Sequence, residues 1–571
     1  MFLQQLVEYS RREDVNISPP MYNAEPVRYW VELDHEGKLE GIIDVAESDG
    51  KRPKRVNVPT LVRASSVKPK LLADNAEYAL GIGRETSKPE RVIQCHHSFV
   101  ELTRRCAEDT GESDVLAVLN FLDGLRTDEL SLPPDFNPTA TVSFRVEGRS
   151  VVGLPAVEAF WVNAAAEGKI MQCLICGQER PAMERLQLKL KGIPGGQTSG
   201  LALISANEDA FLSYGLKASY VAPTCQNCSD RFMKAANHLI AGESTHLRVG
   251  NAVYVFWTRH ESDFSVALLL SSPNPDDVRA LLHSVFSGGP VQLDPNPFYA
   301  AALTASGARA VVRDWIDTTV GRAQANLARF FHLQTITDAW GEAARPLAIW
   351  QLAKATVRTG SRDDAAPWLS QALIHCALSG GPLPNSLLFK AVERCRLERD
   401  VTPSRAALIK MVLLTHNSPS SPGGDEMVTL NIDNRDAAYL CGRLFAELEA
   451  VQRTALGEVG AGIVGRYYGT ASSAPATVFG RLIRGAQPHL EKLRRDRPGA
   501  YHAIDERLQD IQAGLDAYPT TLTLQQQGRF ALGYYHQRAA DRHARQERKA
   551  AMAEDADTDA DQDEFADTIN L

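Results

Sequence analysis

Two short stretches restrict this chain more than anything else in it. "QCLICGQERP" holds Cys173 and Cys176, and "PTCQNCSDRF" holds Cys225 and Cys228, with forty-eight residues between the pairs. Two thiolates at C-x2-C spacing grip one tetrahedral ion, and the glycine after Cys176 lets the backbone turn back on itself. Two such pairs close the coordination shell and leave no position for an activated water. The spacing therefore predicts a structural zinc site that pins an insertion of about residues 170–230, glycine-rich and short of core residues. Four thiols without an ion are the competing reading, because the spacer exceeds the roughly 15–20 residues usual for such sites. The other cysteines, Cys95, Cys106, Cys376, Cys395 and Cys441, are scattered and read as core residues.

A chain of 571 residues is too long for one core, so roughly two to four domains are expected. The pattern is α+β. Over residues 1–320 strand and helix signals mix. "VRYWVELDHEGKLEGIIDVA" reads as a hairpin with its turn at Asp34 to Lys38, and "TATVSFRVEG", "LALISAN" and "NAVYVFWTR" read as strands. The start, "MFLQQLVEYSRRE", reads as a short helix with Leu3, Leu6 and Val7 on one face. From about Thr319 helical spacing takes over, in "RPLAIWQLAKATVR", "AAPWLSQALIHCAL", "NSLLFKAVERCRL" and "SRAALIKMVLLTH". An all-helical region 321–416 is followed by a linker at 417–426, "NSPSSPGGDE", and then by a helical bundle at 427–550. The last stretch, 551–571, holds eight acids and no base, and reads as a disordered tail. Those acids account for all but one of the nine net negative charges. A near-neutral body confines any nucleic-acid footprint to local patches.

Three patches stand out. Between Lys51 and Ala73 there are seven bases and no acid: Lys51, Arg52, Lys54, Arg55, Arg63, Lys68 and Lys70. Prolines and β-branched residues make this an extended segment whose bases suit a phosphate backbone, with Asn75 beside it offering a donor and an acceptor to a base edge. A solvated loop is the plainer reading. Lys189 and Lys191 flank the glycine loop "KGIPGGQTSG", which includes Gln197. Backbone amides uncovered by glycine approach phosphates closely, although a mobile turn explains the composition equally well. The third patch, Arg481, Arg484, Lys492, Arg494 and Arg495, falls in a helix of the C-terminal bundle, where a solvated face is the default. "FALGYYHQR" offers Tyr534 and Tyr535 either as stacking platforms or as the dock of a terminal helix. No Walker loop, H-E-x-x-H or G-x-S-x-G occurs, and Cys95, His96 and His97 are adjacent, so their side chains diverge. No catalytic activity is expected. No run reaches the roughly 18 apolar residues of a membrane span, and no secretory leader opens the sequence. A cytoplasmic, reducing location is expected.

The order of segments resembles one family over nearly the whole length. "FLQQLVEY", "KPKLLADNAEYALG", "KGIPGGQTSGLALISANEDAFLSYG", "NAVYVFWTR", "LSGGPLPNSLL", "SRAALIKMVLLTH", "YLCGRLFAELE" and "FALGYYHQR" follow one another as in the large subunit of the type I-C CRISPR surveillance complex, Cascade (the Csd-type, Cas-eight subtype c family). The four cysteines are not part of that resemblance. It implies a non-catalytic subunit beside a CRISPR RNA, backbone subunits and a handle-binding subunit. Such a subunit recognises the protospacer-adjacent motif in double-stranded DNA, promotes strand separation and R-loop formation, and presents the target to a helicase–nuclease. On that reading Lys68, Lys70 and Asn75 face the motif duplex, and Lys191 and Gln197 lie near strand separation. The bundle at 427–550 is then similar to the small subunit, with Met427 as an internal start for a separate copy. Without the resemblance, the competing reading is a free-standing, zinc-stabilised nucleic-acid-binding or regulatory protein that uses no guide RNA.

Overall fold

The computed structural model describes residues 1–45, 55–61, 63, 67–206, 208–286, 294–363, 365–416, 427–457 and 462–569, with side chains as far as Ala551. The chain divides into two compact units, Met1–Gly242 with Thr304–Val311, and Glu243–Leu303 with Val312–Leu571. The architecture is α+β.

The first unit opens on α1 (Phe2–Tyr9), which buries Leu6 and Val7 as its spacing predicts. Strands β1 (Tyr22–Pro26), β2 (Tyr29–Leu33), β3 (Leu39–Asp44) and β4 (Arg55–Pro59) follow, then β5 (Ala73–Asn75), β6 (Thr141–Val146) and β7 (Arg149–Ser150). β2 and β3 form the expected hairpin. Asp34 Oδ1 accepts the amides of Glu36 at 3.0 Å and Lys38 at 2.8 Å, and Gly37 takes φ +88° where a Cβ would lie 2.2 Å from Ala117 O. The sheet order is β3-β2-β6-β5, with β7 on β6. β2 and β6 run parallel, which demands a long crossover. That crossover carries α2 (Ala76–Ala79), α3 (Pro89–Thr110) and α4 (Ser113–Asp123), and Cys95, Phe99, Val118 and Phe144 share its core. His96 turns to Tyr78 O at 2.9 Å while His97 is exposed, so the adjacent Cys95, His96 and His97 do diverge.

After α5 (Pro155–Ala164) come the hairpin β8 (Lys169–Gln172) and β9 (Glu179–Ala182), a long irregular stretch, and α6 (Gln226–Ala241). Residues 201–206, the described part of "LALISAN", are not a strand: Leu201 and Ala202 make only single bridges, to Leu190 and Arg309. Gly200 at φ +93° turns the chain just before it, and a Cβ there would lie 2.7 Å from Lys189 Cβ. Buried Ile175, Met183, Leu190, Ile193 and Leu201 join neither of the two large apolar clusters of the protein. The insertion has little core, as its composition suggests.

The second unit holds most of a sheet of β10 (His246–Val249), β11 (Ala252–Thr258), β12 (Pro297–Ser306) and β13 (Arg309–Thr319), in that order, with β10 and β11 antiparallel; Thr304–Val311 of β12 and β13 count with the first unit. Every residue of β11 is buried, which is why "AVYVFWT" is continuously apolar instead of alternating. α7 (Val266–Ser271) and α8 (Pro275–Phe286) lie between the hairpins. At Thr319 strand gives way to helix. Its hydroxyl caps α9 (Val320–Gln334) by accepting the Arg322 amide at 3.3 Å. α10 (Ile349–Lys354), α11 (Pro367–Ser379), α12 (Asn385–Glu398), α13 (Pro403–His416), α14 (Ala437–Leu456), α15 (Ile463–Ala471), α16 (Phe479–Asp496), α17 (Pro498–Ala513) and α18 (Leu524–Ile569) complete it. One apolar cluster runs from Val249 to Tyr535, so the strands after residue 243 share a core with the helices that follow. Tyr534 and Tyr535 are buried, docking α18. Along the segment 551–571, expected to be a disordered tail, the backbone of α18 runs on as far as Ile569. Among the described residues no helix is long and apolar enough to cross a membrane.

Candidate metal centre and basic surfaces

The hairpin β8–β9 brings the first cysteine pair to its tip. Cys173 N donates to Gln178 O at 2.9 Å, Gly177 N returns to Cys173 O at 2.9 Å, and Gly177 sits at φ +72°. The second pair starts α6: Cys225 is its N-cap and Cys228 lies in its first turn. Backbone bonds join the two halves, Leu174 N to Pro223 O at 2.9 Å and Met183 N to Thr224 O at 3.1 Å. The amides of Ile175 and Cys225 both point at Cys173 Sγ at 3.4 Å, the arrangement that steadies a thiolate.

All four sulfurs lie within 4.8 Å of one another; Cys173, Cys225 and Cys228 are buried and Cys176 is exposed. Four thiolates around an ion at about 2.3 Å stand about 3.8 Å apart, so the sulfurs fit a tetrahedral shell with a contraction of at most about 1 Å. Cys176 and Cys225 Sγ are 4.0 Å apart, about twice the length of a disulfide bond. Crowding also sets their acidities. Hydrogen bonds from the Cys225 and Cys228 thiols hold Cys173 far below the ordinary thiol range, while the bond to Cys173 pushes Cys225 up to about 11 and Cys228 upward as well. A divalent cation at the centre reverses that repulsion and deprotonates every ligand. These four residues can hold a metal ion, and thiolate-only ligation selects a thiophilic one.

The basic segment is less free than its composition suggests. Lys51, Arg52 and Lys54 lie outside the described residues. Arg55 donates to Ala24 O at 3.0 and 2.7 Å across the β1–β4 pair. Arg63 forks onto buried Asp74, donates to Lys68 O at 2.6 Å and lies 4.2 Å from the centre of the Tyr78 ring. Lys68 meets Glu167 at 2.6 Å and Lys70 meets Glu25 at 3.4 Å. Asn75 caps α2, accepting the Tyr78 amide at 3.4 Å. The Arg63 side chain and the backbone amides of Lys70 and Asn75 gather around Asp74, while the Lys68 and Lys70 ammonium groups turn to Glu167 and Glu25, distant along the chain. The Lys68–Glu167 pair is open to solvent, and an exposed pair is worth no more than about 1 kcal/mol, so Lys68 exchanges partners easily.

Lys189, Lys191 and Gln197 are exposed on the glycine loop. Asn237 of α6 fixes that loop, accepting Lys191 N at 2.9 Å and donating to Lys189 O at 3.0 Å. Arg481, Arg484, Lys492, Arg494 and Arg495 are exposed along α16, which passes through Pro488 without ending, while Leu482, Ala486, Leu490 and Leu493 are buried. Arg495 spends its charge on Asp496 at 2.8 Å. The sequence reading passed over Arg11, Arg180 and Arg231, which lie on separate elements and line one cavity. No window of the sequence joins them.

Among curated proteins no match was found. A family model described as CRISPR-associated protein (Cas_Csd1) matches residues 3–541, so this chain, with its four-cysteine cluster and its scattered basic surfaces, belongs to that CRISPR-associated family.

Proposed function

We propose that the chain is the non-catalytic large subunit of a type I-C guide-RNA surveillance complex. It recognises the protospacer-adjacent motif in double-stranded DNA, promotes strand separation and R-loop formation, and enables recruitment of a helicase–nuclease. The family match over residues 3–541 is the observation that carries this reading. Physical chemistry agrees with it. Guide pairing supplies sequence discrimination in such a complex, so the protein needs to read only a few base pairs and hold backbones. Local bases on a near-neutral body suit that division. Lys68, Lys70 and Asn75, which lie within eight residues of one another along the chain, are the residues assigned to the motif duplex; Lys189, Lys191 and Gln197 are assigned to the opened strands, and α16 to the path of the displaced strand. The cysteine cluster holds zinc as a clamp on the insertion that carries the glycine loop.

The test is binding of the assembled complex to duplexes with the adjacent motif randomised, at several salt concentrations. A preferred motif is expected, and Lys68→Ala, Lys70→Ala and Asn75→Ala combined should lower target capture by about tenfold or more. Equal capture of every motif, or no effect of the triple variant, would defeat the assignment.

A further inference from the structure

The first compact unit contains a cavity of about 560 Å³ that the reading above leaves unused, a volume within the range of small-ligand sites. Three arginines reach its wall: Arg11 just after α1, Arg180 on β9 and Arg231 on α6. Among the described residues none of the three forms an ion pair, although the surface elsewhere is rich in them. Arg231 is half-buried, and its only described polar partner is Asn227 Oδ1 at 3.0 Å. Burial and then the neighbouring charge of Arg11 lower its pKa, while the charges of Asp230 and Glu158 pull the other way. Three arginines against a single wall carboxylate, Glu158, leave the cleft with an excess of positive charge that a further anion would offset.

The cleft is also rigid. Lys234, one turn beyond Arg231, donates to Pro19 O at 2.7 Å and Tyr22 O at 2.5 Å, and pairs with Asp230 at 2.6 Å. Asp230 accepts the Met21 amide at 2.7 Å. Residues 18–22 are thereby fixed to α6, while the cysteine cluster joins the base of α6 to the hairpin that carries Arg180.

One wall residue argues against a bare phosphate site. Glu158 of α5 is half-buried and forms no ion pair with any of the three arginines. A carboxylate repels phosphate oxygens but accepts a hydroxyl, and Asn163 and Asn227 beside it offer both donors and acceptors. The 2′-hydroxyl is the group that distinguishes RNA from DNA at a protein surface. Guanidinium forks match phosphate geometry.

We propose that this cavity binds the ribose–phosphate backbone of a single-stranded RNA, with Arg11, Arg180 and Arg231 on phosphate oxygens and Glu158 accepting a ribose hydroxyl. The inference rests on the reading that the protein works with a guide RNA. It is tested on the full chain by fluorescence anisotropy, using a labelled single-stranded RNA of mixed sequence, the DNA of the same sequence, and a duplex DNA. Arg11 and Arg180 are exposed, so the double variant Arg11→Gln, Arg180→Gln is expected to keep its thermal midpoint. It should bind RNA about tenfold more weakly and show a shallower salt dependence, by about 0.7 in slope per phosphate released. Arg231→Gln should act in the same direction, and Glu158→Gln should narrow the preference for RNA over DNA. Unchanged RNA affinity in both arginine variants, or an equal loss of single-stranded DNA and RNA binding in the double variant, overturns the proposal. The duplex arm separates the two readings: an RNA defect with duplex binding intact supports the cavity alone, whereas RNA binding that survives while motif preference is absent removes only the proposed function.

Discussion

A base that has found a carboxylate is less available to a phosphate, and Arg63 illustrates how far single residues escape a reading of the sequence. Its neighbours in the chain hold no acid, yet it forks onto Asp74, which is 3% exposed. The cysteines behave in the opposite way: their spacing announced one cluster, and the fold delivers it. Purified chain should carry one zinc ion per molecule by elemental analysis. Cys228→Ser should lose most of it and expose residues 183–224 to proteolysis, because three ligands no longer close the shell. Metal-free protein with an unchanged digestion pattern in the variant would sink the clamp. Another residue was invisible beforehand. Glu447 on α14 is fully buried; Arg507 donates to it at 2.7 and 3.1 Å and Gln537 at 2.8 Å. Burial, then the charge of Asp541, push its carboxyl up to about 7 despite Arg507. A raised acid contributes stability that is present below the ordinary carboxylate value and lost as pH rises through about 7. The thermal midpoint should therefore fall between about pH 4.5 and 7 and level off above, by on the order of 3 kcal/mol in stability, and Glu447→Gln should flatten that fall. An equally steep fall in the variant would show that the dependence belongs to other groups.

Elements were easier to read than their surroundings. The hairpin of β2 and β3, the switch from strand to helix at Thr319 and most of the later helices follow from periodicity, because local spacing alone decides them. α13 shows the limit. Its apolar spacing suggests one buried face, but the helix is buried on all sides, and Arg405 and Lys410 are buried with it. Arg405 donates to Ala355 O at 3.2 Å and Val357 O at 3.3 Å and meets Glu398 at 2.8 Å, so a residue that reads as a solvent marker instead caps the end of α10. The crossing of α14 and α18 is equally tight. A Cβ on Gly442 would stand 2.1 Å from Phe530 O, and one on Gly533 would stand 2.2 Å from Tyr439 O. Gly442→Ala and Gly533→Ala should each cost about 1–3 kcal/mol, read as a lower denaturant midpoint. Gly485→Ala on α16 meets nothing within 4 Å and should add about 0.5–1 kcal/mol, since alanine is the better helix former. A loss at Gly485 equal to that at Gly442 would mean that crowding at the α14–α18 crossing does not set the cost.

At the scale of the whole molecule, the bundle after Met427 is less independent than a linker at 417–426 implies. α18 packs on α12 and α13 as well as on α14, with Gly528 against Leu388 and Ile409, and Arg538 stands 3.6 Å from Asp400. A separate product starting at Met427 would leave that face of α18 uncovered and would need a partner to bury it. Mass spectrometry of the purified complex should show a fragment spanning 427–571, absent after Met427→Leu; its persistence in that variant would remove the internal start. By itself the sequence determined the α+β character, the change to helix near residue 319 and the four-cysteine cluster, since each depends on spacing between near neighbours or on a ligand chemistry with few alternatives. Only the tertiary structure decided which bases are already neutralised, which charges are buried and which arginines converge on a cavity. Those properties arise from groups such as Arg11, Arg180 and Arg231 that are far apart along the chain, and electrostatics and burial act through space.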